Sequence, residues 1–214
     1  MGLTGSCGSE GEAADRPVEV SLDFGGVATS LDFGGGDQRR LDELSLLGTY
    51  ADQGGRLSLQ VGAGAVVGGS LNGPAGNYRL QAGPEIAFSG GWTFLDGRGV
   101  RPYLAASLGA AFSTLPAQNE AVPGDQPRLT ALDFRLSAVI GKQLFGFWLP
   151  YGGVSVFGGP VFFNPDDVGL IGTDVNHYRV TVGSSFELPA HLHLLAEAGV
   201  LGELSAVVGL GYRP

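Results

Sequence analysis

The chain has one cysteine, one lysine and little charge: Asp, Glu, Lys and Arg make up 15% of its 214 residues, against a usual share of about 25%. A lone Cys7 excludes an internal disulfide, and no Cys or Cys/His spacing points to zinc. Twelve bases against 21 acids leave a formal charge of -9, which makes nucleic acid a poor partner. No run of about 18 apolar residues is present, so no membrane-crossing helix is encoded. Residues 1–16 lack the charged start and apolar stretch of a secretory signal; small, polar and acidic, they read as a flexible leader before a β-domain over residues 17–214. Glycine is the excess, at 38 residues where an average chain of this length carries about 15. These glycines keep no period of three, which excludes collagen, and 43% hydrophobic residues exclude wholesale disorder.

Beyond the leader the pattern has period two and almost nothing at helical spacing, so the chain reads as all-β. In Arg79 to Leu95, Leu80, Ala82, Pro84, Ile86, Phe88, Trp92 and Phe94 alternate with Arg79, Gln81, Gly83, Glu85, Ser89, Gly91 and Thr93. Segments from Leu57, Arg101, Leu129, Tyr178, His191 and Leu204 repeat the alternation, and Pro160 predicts a bulge or strand end within Tyr151 to Phe163. Val18 to Phe33 starts in the same way, but Leu31 and Phe33 fall on the opposite parity, which a bulge at Gly25-Gly26 would absorb. With Leu44 to Tyr50 as a return segment, ten strands are expected; eight is the alternative. Short joins at 53–55, 96–99, 146–150 and 189–190 alternate with longer ones at 34–42, 72–77, 116–128 and 164–176. That layout predicts a closed antiparallel up-and-down barrel.

Three features point the apolar face outward into lipid. The other face is mostly Gly, Ser, Ala, Gln and Thr, as suits a crowded lumen. Its charges nearly balance: Glu19, Asp23, Glu85, Asp133, Glu187 and Glu197 against Arg79, Arg101, Arg135, Arg179 and Arg213, every base an arginine suited to pairing with carboxylates. Aromatics gather at segment ends. Trp92, Phe94, Phe145, Phe147, Trp148, Tyr151 and Tyr212 predict a girdle at the short-join rim; Tyr78, Phe112, Phe162, Phe163 and Tyr178 predict one at the long-join rim. A soluble sandwich or ligand-binding barrel with the apolar face inward is the competing arrangement.

With these features the chain resembles the small outer-membrane β-barrels of Gram-negative bacteria, the OmpA-like group, over about residues 17 to 213. The most specific part is Phe186-Glu187-Leu188-Pro189, the His191 to Val200 strand, and Ser205 to Arg213, whose alternation and Tyr212 look like that group's terminal assembly signal. The chain departs from the group in ending on Pro214. The resemblance implies an outer-membrane location, contact with membrane lipid and lipopolysaccharide, and no cofactor. A non-enzymatic role is expected: envelope integrity, surface interaction or membership of a larger assembly, with a small passive pore as the alternative. Joins 116–128 and 164–176 are the expected place for a protein partner.

Four smaller motifs have modest readings. His191 and His193, with Glu197 on the same strand face, could contribute to a metal site but are better read as lumen residues bonded to arginine and glutamate. Ser21-Leu-Asp-Phe-Gly-Gly26 recurs as Ser30-Leu-Asp-Phe-Gly-Gly35, too few copies for a calcium-binding β-helix. Asp166, Asp167, Asp174 and His177 read as a solvated acidic loop rather than a hydrolase site. Leu3 to Cys7 resembles a lipoprotein signal, with Cys7 as the lipidated residue, though Thr4 stands where Leu is wanted.

Overall fold

The computed structural model describes residues 18–74, 76–97, 99, 101–122, 124, 126–165 and 169–214; the leader, Cys7, Asp166 and Asp167 lie outside the described residues. All the regular structure there is antiparallel sheet: β1 (Val18–Asp32), β2 (Gln38–Gly54), β3 (Leu57–Gly73), β4 (Gly76–Leu80), β5 (Gly83–Asp96), β6 (Tyr103–Asn119), β7 (Arg128–Gly141), β8 (Trp148–Gly158), β9 (Val161–Phe163), β10 (Leu170–Asp174), β11 (Tyr178–Leu188), β12 (Leu192–Val200) and β13 (Glu203–Tyr212). Each of the pairs β4/β5, β8/β9 and β10/β11 forms one broken stave, so thirteen strands make a barrel-like ring of ten. The first and last strands pair over Val20↔Tyr212 to Thr29↔Glu203. As Pro160 predicts, one break falls at Gly159-Pro160.

Side chains alternate about the wall of this ring. On β1, Glu19, Ser21 and Asp23 are buried inside while Val20, Leu22 and Phe24 are about half exposed outside. Outward apolar stripes run along Val20–Ala28, Leu132–Ile140 and Leu204–Tyr212. The apolar face is therefore the outer one, opposite to a soluble barrel.

Nearer the long joins the polarity inverts. Leu31, Leu41, Val66, Leu71, Tyr78, Leu80, Leu115, Ala117, Leu129, Val161 and Phe163 form a buried cluster inside the ring, with Phe33 and Leu170 against it. The expected bulge at Gly25-Gly26 does not occur, because β1 pairs with β2 without interruption from Val18↔Asp52 to Asp32↔Gln38. Leu31 and Phe33 change parity because they belong to this inner cap. The hexapeptide repeat carries the inversion: a nine-residue offset is odd, so Leu22 and Phe24 face out while Leu31 and Phe33 face in.

Parity also slips at two points on neighbouring strands. β3 skips Val67 against β2, Leu44 pairing with Gly68 and Ser45 with Val66. Between β4 and β5, Gln81 and Ala82 are both exposed, which turns Leu80 inward, against the sequence expectation. The long joins are shorter than expected, since β2 begins at Gln38, β6 runs to Asn119 and β10 lies within 164–176.

Candidate functional site

The interior holds charge networks, the apolar cap and, toward the short joins, a smaller apolar cluster of Tyr103, Ala105 and Leu149. At its centre Glu203, buried on β13, accepts hydrogen bonds from Arg135 Nη1 at 3.1 Å, Arg135 Nη2 at 2.8 Å and Arg179 Nη1 at 2.8 Å. Arg179 also donates to Ser205 at 2.9 Å and to Glu197 at 3.4 Å, and Tyr151 donates to Glu197 at 3.0 Å. Asp133 stands 3.4 Å from Arg135, whose guanidinium lies over the Phe157 ring. Four strands thus converge on one mixed cluster of arginine and carboxylate.

A second cluster occupies the short-join mouth, where Glu19 meets His193 at 3.1 Å, Arg213 at 3.0 Å and Gln53 at 3.2 Å. A small cavity there is lined by Gln143, Trp148, Ser185, Glu187, His193 and Arg213, among others. Asp23 accepts from Ser21, which in turn shares a hydrogen bond with Thr49. Glu43 on β2 and Glu85 on β5 also face inward, each with a carboxylate oxygen lacking a hydrogen-bond partner among the described residues.

Above these clusters, Arg39 is buried in the cap. Its guanidinium lies 5.2 Å from the Phe163 ring centre, 5.4 Å from Phe33 and 5.7 Å from Tyr78, and it is held by Asp37 at 2.7 Å.

Glycine makes the lower interior narrow enough for these contacts. A β-carbon at Gly183 would strike the Tyr151 ring, and one at Gly199 would strike Arg179 and Ser205. Gly209 and Gly211 give the same room to Asp23 and His193.

Nine of the eleven residues proposed for the charge network face the interior or its mouth: Glu19, Asp23, Glu85, Asp133, Arg135, Arg179, Glu187, Glu197 and Arg213. Two do not. Arg79 points outward because β4 ends before the parity slip, and Arg101 lies in the exposed turn before β6, its carbonyl accepting from Lys142. In the girdle, Trp92, Phe94 and Tyr212 are exposed on the outside and Trp148 stacks on Phe186, while Phe147 lies in the turn before β8 and lines the cavity at the mouth. Tyr151 instead faces inward to Glu197, and Tyr78 and Phe163 are buried in the cap. His191 is not on the His193 face: it sits in the exposed turn with φ of 61°. No metal-holding group of three or more His, Cys, Asp or Glu occurs among the described residues. Asp174 and His177 make no hydrogen bond to each other among the described residues: Asp174 accepts from Thr29, and the His177 ring bonds the Phe157 carbonyl.

Sequence reading missed Glu203, Glu43 and Arg39. Glu203 had a usable signal, being in phase with Ser205, Gly209 and Gly211 on the inner face of β13. The tight turn at Leu201-Gly202 concealed that the strand starts so early.

No family model matches the chain, and no curated protein matches it. Solved structures do. The translocator domain of the autotransporter NalP from Neisseria meningitidis superposes with a TM-score of 0.55 and 14% identity, over 95% of this chain and 90% of that one. The fold is that of the bacterial outer-membrane β-barrels. The outer membrane protease OmpT from Escherichia coli shares this barrel fold with a TM-score of 0.57 and 10% identity, over 98% of this chain and 100% of its own. An outer membrane channel from Pseudomonas putida F1 shares it at 0.54 and 9%, over 100% of both chains.

Proposed function

We propose that this chain is an integral protein of a Gram-negative outer membrane, a closed ten-stranded transmembrane barrel held shut by its own side chains. Its role is non-enzymatic: envelope structure, surface interaction or membership of a larger membrane assembly. The outward apolar stripes support the membrane reading, since Val20–Ala28, Leu132–Ile140 and Leu204–Tyr212 each match the 9 to 11 tilted residues that span a bilayer core. The aromatic residues at the short-join end fit an interfacial girdle.

The observation that carries the shut state is the inner cap. Phe163, Leu71 and Leu115 are fully buried in the ring, and a path along the axis would cross this apolar layer as well as the Arg135–Glu203–Arg179 cluster. Recording from the reconstituted protein in a planar lipid bilayer tests the reading. A silent membrane is expected, with insertion verified by heat-modifiable gel migration. Stable single-channel steps would establish the passive pore instead.

A further inference from the structure

Two features of the outer wall coincide on one side of the ring. The first is a change in the size of its apolar residues. On β2 to β7 the outward belt is built of large side chains, among them Leu46, Leu59, Phe88, Leu108, Phe134 and Leu136. On β8 and β11 to β13 it is small. Gly152, Val182, Ala198 and Ala206 share one rung across these four adjacent staves, and Ser184 and Ala196 pair on the next outward rung.

The second feature is an overhang. Past the apolar stripe, β1 to β7 turn polar on the outside, at Asp32, Arg40, Asn72, Arg79, Gln118 and Arg128. The β9–β10 hairpin does not. Phe162 and Ile171 pair with each other and share a rung with Thr130, two residues beyond Leu132 at the end of the β7 stripe, and Ile171 is 64% exposed. Val175, Tyr178 and Leu201 continue this exposed apolar surface down to the belt. From Trp148 to Tyr212 no Asp, Glu, Lys or Arg among the described residues faces outward.

We propose that a second copy of this chain docks on the β8–β13 side, the two barrels being related by a two-fold axis along the membrane normal. The inference rests on the membrane reading above. Lipid covers an apolar belt as well as protein does, so two barrels associate where short side chains let their walls approach and make dispersion contacts. Phe162 and Ile171 stand beyond the belt, where acyl chains do not cover them and a protein partner removes them from water. A two-fold interface sets residues against their own kind and needs a face without charge, whereas the opposite side would bring Arg40, Arg79 and Arg128 against like charges. Four staves at about 4.8 Å give a width of about 19 Å, and a belt of about 25 Å with an overhang of about 7 Å gives a height of about 32 Å. The face is then about 600 Å² per copy, or about 1,200 Å² over both, at the lower end of specific interfaces.

Sedimentation equilibrium of the detergent-purified protein in density-matched micelles tests this. The wild type is expected to be a dimer. Val182→Trp, in the middle of the small-residue face, and Phe162→Lys/Ile171→Lys, beyond the belt, are each expected to raise the dissociation constant at least tenfold, while Leu108→Trp on the opposite wall leaves it unchanged. Heat-modifiable migration verifies the fold of each variant. The lysine pair carries the test if Val182→Trp does not fold, since both of its positions are exposed in the single barrel. Equal dimerisation by all the variants, or equal weakening by Leu108→Trp, would overturn the assignment, as would a wild type that is monomeric or assembles in any number other than two. If such a wild type still migrates as a heat-modifiable barrel, only the dimer face falls. One that stays monodisperse without detergent and lacks heat-modifiable migration would refute the membrane reading itself.

Discussion

Replacing Glu203 with alanine should destabilise the barrel by about 3–5 kcal/mol, the range for removing one partner from a buried ion pair. The carboxylate accepts three charge-assisted bonds at 2.8, 2.8 and 3.1 Å, and all the groups involved are buried. Without it Arg135 keeps only Asp133 and Arg179 only Glu197 as an ion-pair partner, each at 3.4 Å, and the two like charges face one another in a narrow interior. Glu203→Gln keeps acceptor and shape but loses the charge, so its loss should fall near 1.5–3 kcal/mol. Pairing Glu203→Leu with Arg135→Leu removes charge from both sides and should recover much of the deficit. Urea unfolding in lipid vesicles, followed by tryptophan emission and by heat-modifiable migration, measures each variant. A Glu203→Ala protein within about 1 kcal/mol of wild type would refute the reasoning, as would strict additivity of Glu203→Leu and Arg135→Leu.

Two further substitutions probe the wall. Gly183→Ala should lower the yield of folded protein because its β-carbon would enter the Tyr151 ring, whereas Gly48→Ala, which meets only the Ala63 carbonyl at 3.6 Å, should be neutral; equal yields would refute the role given to interior glycine. Leu136→Arg, in the middle of an outward stripe, should cost about 2–4 kcal/mol in lipid vesicles, and a neutral result would contradict lipid contact on that face.

Strand positions were legible because period two survives in nearly every segment, and the outward direction of the apolar face could be read from what opposed it. Residues such as Gly62, Ser137 and Arg179 suit a confined interior better than a watered surface. Height along the barrel was not legible. Alternation names two faces without saying where each meets lipid or water, so Leu31, Tyr78 and Phe163 looked like further outward residues when they belong to the cap. The skipped Val67 and the break at 81–82 put the residues on their two sides in opposite phase, so Arg79 and Leu80, ahead of the break, take the faces opposite to those that the phase of Pro84 to Phe94 predicts. Tyr151 misled for a chemical reason: its ring suits a girdle and its hydroxyl suits Glu197 equally well.

The inner cap has a consequence for assembly. Its members come from β1, β2, β3, β4, β6, β7 and β9, so no hairpin or partial sheet can bury them. In the belt, acyl chains solvate the outward residues whether the ring is open or closed, and apolar surface there supplies little drive toward closure. The cap residues of an open sheet would face water. The hydrophobic effect therefore acts most strongly at this end, and in the closed barrel proposed above it is satisfied only when the last staves meet, so burying the cap and closing the ring would be one event.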